Sequence, residues 1–135
     1  MSVGILLDEK GQDIYFSKGV SQGCGHDFSA GILLDRNGDD TYTAFDLSQA
    51  AGSANGAGLL IDNAGNDRYN IADKNNSQGY GNPRREYGSI GLFIDLGGKD
   101  QYMGNGQDNY YWRTNSKWGA GMDIELNPPD TTSKK

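Results

Sequence analysis

Cysteine, histidine and proline are nearly missing from this chain: its 135 residues include one Cys, one His and three Pro. The lone Cys24 excludes an intramolecular disulfide and reads as a packed thiol without chemistry. The lone His26, between Gly25 and Asp27, has no repeated partner and no nucleophile motif beside it, so it reads as a surface turn residue. There is no Gly-x-Ser-x-Gly, no His-Glu-x-x-His and no Walker loop. Apolar residues other than glycine make up only 35% of the chain, against roughly 45–50% on a count that includes glycine, which makes a conventional two-layer core hard to build. No run approaches the roughly 18 apolar residues of a membrane span. The first residues carry no signal-peptide pattern and enter the repeat directly, so either the chain is a fragment or its first coil is closed by something else. Positive charge is also short: 12 Lys and Arg face 18 Asp and Glu, a net charge of −6. That balance argues against a general nucleic-acid binder and is compatible with divalent cations.

What the chain has in abundance is glycine, 21 residues, and one phrase said four times. Gly4-Ile5-Leu6-Leu7-Asp8 continues through Gly11, Asp13 and Tyr15. The phrase returns at Gly31–Asp35 with Gly38, Asp40 and Tyr42, and at Gly58–Asp62 with Gly65, Asp67 and Tyr69. The fourth copy is Gly91–Asp95 with Gly98, Asp100 and Tyr102, and a worn fifth copy is read from Gly121. The spacings are 27, 27, 33 and 30 residues. A period in this range means stacked units, each burying its apolar face against the next.

Helical periodicity is absent and glycine interrupts every few residues, so each unit reads as short strands and turns. The expected fold is an all-β solenoid of about 4.5 coils over residues 1–126, followed by a flexible tail at 127–135. A parallel β-helix and a solenoid of stacked β-hairpins both fit the repeat. Three recurrent corners per coil favour the parallel form. One is a Ser-Gln corner (Ser21-Gln22, Ser48-Gln49, Ser77-Gln78), suited to an amide ladder. The insert Asn82–Tyr87 accounts for the 33-residue spacing and should loop out.

Aligning the strands on the fifth copy gives inward sets Ala30, Ile32, Leu34; Ala57, Leu59, Ile61; and Ile90, Leu92, Ile94. The opposite face then carries Leu6, Leu33, Leu60 and Phe93. That column is either buried under a covering segment or an association stripe. Tyr15, Tyr42, Tyr69 and Tyr102 form a further column, either a structural ladder or a sugar-stacking strip.

Eight aspartates occupy two repeat positions: Asp8, Asp35, Asp62, Asp95 and Asp13, Asp40, Asp67, Asp100. In a parallel stack, neighbours in a column sit about 4.8 Å apart. Their repulsion, about 3–4 kcal/mol per pair at an effective dielectric of 20, needs an answer. A bound cation is one; hydrogen bonding to turn N–H groups is another. Gly98-Lys99-Asp100-Gln101-Tyr102 and Gly65-Asn66-Asp67 resemble the second half of the nonapeptide of RTX calcium-binding β-rolls. In that family the Gly and Asp of stacked turns hold calcium, which carried over implicates Asp13, Asp40, Asp67 and Asp100 as Ca2+ ligands. Here the motif occurs once per coil rather than in tandem, and Tyr stands where that family has an aliphatic residue. The whole chain also resembles bacterial Gly-Asp-Tyr repeat proteins of unassigned function.

The C-terminal coils concentrate aromatics and cations: Arg84, Arg85, Tyr110, Tyr111, Trp112, Arg113 and Trp118. They read as a cap over the open end of the stack, or as a platform for carbohydrate or a protein partner. The expectation is a non-enzymatic repeat scaffold, self-associating or docked on a larger surface assembly, secreted or at the cell surface, and calcium-stabilised. The alternative is a carbohydrate-binding or polysaccharide-processing β-helix.

Overall fold

The computed structural model describes residues 1–126. The sequence-predicted tail at 127–135 lies outside the described residues. The chain is an all-β parallel solenoid. Its strands are β1 (Ser2–Asp8), β2 (Ile14–Phe16), β3 (Gly25–His26), β4 (Ser29–Asp35), β5 (Thr41–Ala44), β6 (Gly52–Ser53), β7 (Ala57–Asp62), β8 (Arg68–Ile71), β9 (Ile90–Asp95), β10 (Gln101–Met103), β11 (Tyr111–Arg113) and β12 (Gly119–Asp123). A 3-10 turn at Lys74–Asn76 is the one helical piece among the described residues.

Three sheets form the faces of the coil, in the orders β1-β4-β7-β9-β12-β11, β10-β8-β5-β2 and β3-β6. The pairing from coil to coil is parallel and in exact repeat register. Leu6 pairs with Leu33, Leu33 with Leu60, Leu60 with Phe93, and Tyr15, Tyr42, Tyr69 and Tyr102 follow one another likewise. The stacked-hairpin alternative is therefore excluded. The one antiparallel pair among the named strands is β11 with β12, where the chain reverses at the end of the stack.

The side-chain faces of the long strands are the reverse of the sequence expectation. Leu33, Leu60 and Phe93 are at most 1% exposed and form the core with Tyr42, Tyr69, Ala50 and Trp112. They are not an association stripe; only Leu6, on edge strand β1, is exposed. The sets expected to point inward are instead the outer face: Ile32, Leu34, Leu59, Ile61 and Ile94 are half-buried and Leu92 is exposed. The error arose in the fifth copy. It begins at Gly119, which pairs with Gly91, so Asp123 aligns with Asp95 and Gly121 with Phe93. Gly121 leaves the core position without a side chain, and the Trp112 ring fills it: a Cβ on Gly121 would lie 2.1 Å from that ring. A tryptophan delivered by the antiparallel strand thus closes the stack in place of a fifth apolar residue.

The tyrosines pack as parallel plates. Tyr15–Tyr42 and Tyr42–Tyr69 centroids are 4.7 and 4.9 Å apart, with interplanar angles of 6° and 9°. Tyr102 continues the stack and Phe93 meets Tyr69 edge-on at 81°. With Tyr42 and Tyr69 fully buried, the column is a structural ladder and not a sugar-stacking strip. The Ser-Gln corner is also interior. Gln22, Gln49 and Gln78 all take left-handed φ near 50° and turn the coil inward. Gln22 Nε2 and Gln49 Nε2 each donate to carbonyls in two adjacent coils, and Gln78 Nε2 donates to Gln49 Oε1 at 3.0 Å. The expected amide ladder is present, though mostly routed through backbone oxygens. Cys24 is half-buried, its thiol pushed up to about 12 by burial, which leaves it a poor nucleophile.

Candidate metal centre: two converging aspartate files

The first file follows the end of each long strand. Asp35, Asp62 and Asp95 use Oδ1 to accept an N–H two residues on, from Asn37, Ala64 and Gly97. These Asx turns are what a strand ending in Asp before a Gly-rich loop produces. Their Oδ2 atoms accept tyrosine hydroxyls from the preceding coil: Tyr15 to Asp35 at 2.7 Å, Tyr42 to Asp62 at 2.7 Å, and Tyr69 to Asp95 at 2.6 Å. Tyr102 donates in the same way to Asp123.

The second file runs through the Gly-x-Asp turns. Asp40, Asp67 and Asp100 each use Oδ1 to accept the backbone N–H of the equivalent aspartate one coil earlier, all at 2.6 Å. Asp108 performs this task for Asp100 at the end of the stack. The turn glycines let the coils close this tightly. A Cβ on Gly65, whose φ is +159°, would lie 1.7 Å from the Gly38 carbonyl oxygen.

The two files converge. Carboxylate oxygens of Asp40, Asp62 and Asp67 lie within 4.8 Å of one another, as do those of Asp67, Asp95 and Asp100, and those of Asp100, Asp108 and Asp123. Among the described residues, then, acidic clusters able to hold a metal ion run up the inside of the coil. Asp62, Asp67 and Asp95 are fully buried and Asp40 is 1% exposed. The hydrogen bonds already described use one oxygen of each turn aspartate and leave the other without a partner: Asp40 Oδ2, Asp67 Oδ2 and Asp100 Oδ2, together with Asp123 Oδ1. A buried acceptor without a donor costs about 1–3 kcal/mol, and more when charged.

Burial is the first cause of the carboxyls' reluctance to ionise. It pushes Asp62 and Asp100 up to about 7, Asp95 to about 8 and Asp67 to about 9, with neighbouring carboxylates adding to each. Asp40 and Asp123 shift upward for the same reason. The buried phenols are raised too, first by burial and then by the aspartates, so they remain protonated donors. A site of this kind accepts positive charge, whether as protons or as a hard cation. All of its donors are oxygen, which suits Ca2+ or another oxygen-preferring divalent ion.

Of the eight aspartates picked from the repeat, the clusters contain Asp40, Asp62, Asp67, Asp95 and Asp100. Asp8, Asp13 and Asp35 lie in the same files but outside the three clusters, toward the β1 end, where Asp8 and Asp13 are half-exposed. Asp108 and Asp123 were missed. Asp123 needed the correct frame of the fifth copy; Asp108 stands outside the repeat and nothing local signals it.

The C-terminal aromatics divide. Trp112 is core, donating its indole N–H to the Gln78 carbonyl at 3.0 Å. Tyr110, Tyr111, Arg113 and Trp118 are exposed. Arg84 and Arg85 lie in the exposed insert, where Arg85 reaches back to Asp27 at 2.5 Å and over the Phe28 ring.

Fold and site together define a parallel β-solenoid with a buried carboxylate file. Comparison with protein families, with curated proteins and with solved structures finds no match. No helix among the described residues is long and apolar enough to cross a membrane.

Proposed function

We propose that this chain is a non-enzymatic scaffold whose coils are locked together by divalent cations, calcium in particular, between the aspartate files. The observation that carries the reading is the set of orphaned carboxylate oxygens at Asp40, Asp67 and Asp100, aligned coil after coil inside acidic clusters. Three ionised carboxylates within 4.8 Å repel by about 3–4 kcal/mol per pair at an effective dielectric of 20, and a divalent ion turns that cost into attraction. Asp62 and Asp67 are fully buried, so no substrate reaches them, which favours a structural over a hydrolytic role. Calcium availability suits a secreted or cell-surface setting. Terbium luminescence sensitised by Tyr69 or Tyr102, displaced by calcium, tests the ion; absence of any sensitised signal refutes it.

Docking on a second copy or a larger assembly through the β1 end is part of the same reading. Leu6 is 44% exposed where its column-mates Leu33 and Leu60 are covered by a neighbouring coil, and Val3, Ile5 and Leu7 are exposed beside it. Sedimentation at rising concentration should show association that Leu6→Asp abolishes; a monomer at all concentrations removes self-association.

A further inference from the structure

The outer face of the last coil carries a groove lined by cations and an exposed indole. Its floor follows from the register. The outward row Ile5, Ile32, Leu59, Leu92 ends in Ala120, which pairs with Leu92 on one side and with Arg113 on the other. A methyl group where earlier coils have branched side chains leaves a depression of about 530 Å3 between β9 and β11, at the turn leading into β12. Arg113, Ser116, Lys117 and Trp118 form its walls.

The chemistry of those walls is specific. Trp118 is half-exposed, and the Lys117 ammonium stands 5.0 Å from its ring centroid. Gly88 makes room for the indole edge: a Cβ there would lie 3.0 Å from Nε1. Neither Arg113 nor Lys117 is ion-paired with a described carboxylate, and no described carboxylate lines the groove. In a chain of net charge −6 this is a local concentration of positive charge beside an exposed aromatic plane.

We propose that this groove binds an acidic oligosaccharide, with a uronate carboxylate held by Arg113 and Lys117 and a sugar ring stacked on Trp118. A guanidinium takes a carboxylate through two parallel N–H donors, and the ammonium adds a point charge. The indole offers the flat apolar surface that the C–H face of a pyranose needs. A neutral glycan would leave both cations unused. A nucleic acid needs a longer track of cations than two side chains provide. The volume lies in the range of small-ligand sites.

The test is a titration of the intact chain, at low ionic strength, with a tetrasaccharide alternating glucuronate and N-acetylglucosamine, followed by tryptophan fluorescence and calorimetry. An N-acetylglucosamine tetramer serves as the neutral control. Saturable binding at least tenfold tighter for the uronate oligomer is expected. Arg113→Gln and Lys117→Gln should each weaken it about tenfold, Trp118→Ala should remove it, and Trp118→Phe should restore part of it. All three positions are exposed, so unchanged far-UV dichroism is expected for each of the four variants. The proposal is overturned by no uronate binding, by equal affinity for the neutral tetramer, or by indifference to Arg113 and Lys117. Equal affinity for a sulfated oligosaccharide lacking uronate overturns the carboxylate assignment. Because the groove lies on the outer face at the start of β9 and β12 and the buried aspartates stand at the ends of those strands, chelation should leave this affinity within about twofold wherever the protein stays folded.

Discussion

Removing divalent cations should make this protein more stable in mild acid than in mild alkali, against the usual behaviour of buried carboxylates in ion pairs. The sign follows from the upward shifts. A folded-state pKa above the unfolded value means that the native state holds more protons between the two, so stability is complete below about 4 and falls as pH rises. Asp62, held near 7, loses about 1.4 kcal/mol per pH unit on the way, roughly 4 kcal/mol by neutral pH. Asp95 and Asp67 extend the loss toward pH 8 and 9. Against a total stability of about 5–15 kcal/mol, even the Asp62 share is large. About 2.7 kcal/mol of it falls between pH 5 and pH 7, so the melting temperature in EDTA should be lower by roughly 8–14 °C at pH 8 than at pH 5 from Asp62 alone, read by far-UV dichroism. Calcium at about 100 times its dissociation constant should return about 2.7 kcal/mol at pH 8 and much less at pH 5, where protons compete. Asp67→Asn separates proton from metal. The amide keeps an acceptor for the Asp40 N–H and removes one charge, so the chelated variant should melt higher than the parent at pH 8 and respond less to calcium. A chelated melting temperature that is flat or rising from pH 5 to 8.5 would refute the argument. So would indifference to EDTA at pH 8.

Other consequences concern the ladders. Leu60→Ala should cost about 2–5 kcal/mol in denaturant unfolding, because Leu60 is fully buried between Leu33 and Phe93; a loss below 1 kcal/mol would contradict the core assignment. Tyr69→Phe removes the hydroxyl from Asp95 at 2.6 Å and should cost about 1.5–3 kcal/mol without cation, with little change in the stacked rings. Gly65→Ala should prevent folding or cost several kcal/mol, since the added Cβ meets a backbone carbonyl that cannot swing away, whereas Gly97→Ala, with 3.7 Å of clearance, should fold.

The repeat alone determined that like residues stand over like. A 27-residue period with Gly, Asp and Tyr at fixed offsets leaves a short-stranded solenoid as the economical way to bury so few apolar residues. It also marked the two aspartate positions as one coupled problem, because columns of like charge must be answered somehow. The face each column occupies was beyond the repeat. Side chains alternate with period two, so a frame slipped within the worn fifth copy reversed inside and outside, and Leu33, Leu60 and Phe93 were read as surface. Only the packed coil settled it, because burial depends on what crosses the interior from the other sheets. Tyr42 and Tyr69 come from one face, Trp112 from the antiparallel end strand, and all three meet the Leu–Phe column at the axis. The convergence of the aspartate files is tertiary for the same reason. Asp62 and Asp67 are separated by a turn, with Gly65 at φ +159°, that brings their carboxylates to one point, where Asp40 arrives from the coil before. Asp108, outside the repeat, is recruited there by position alone.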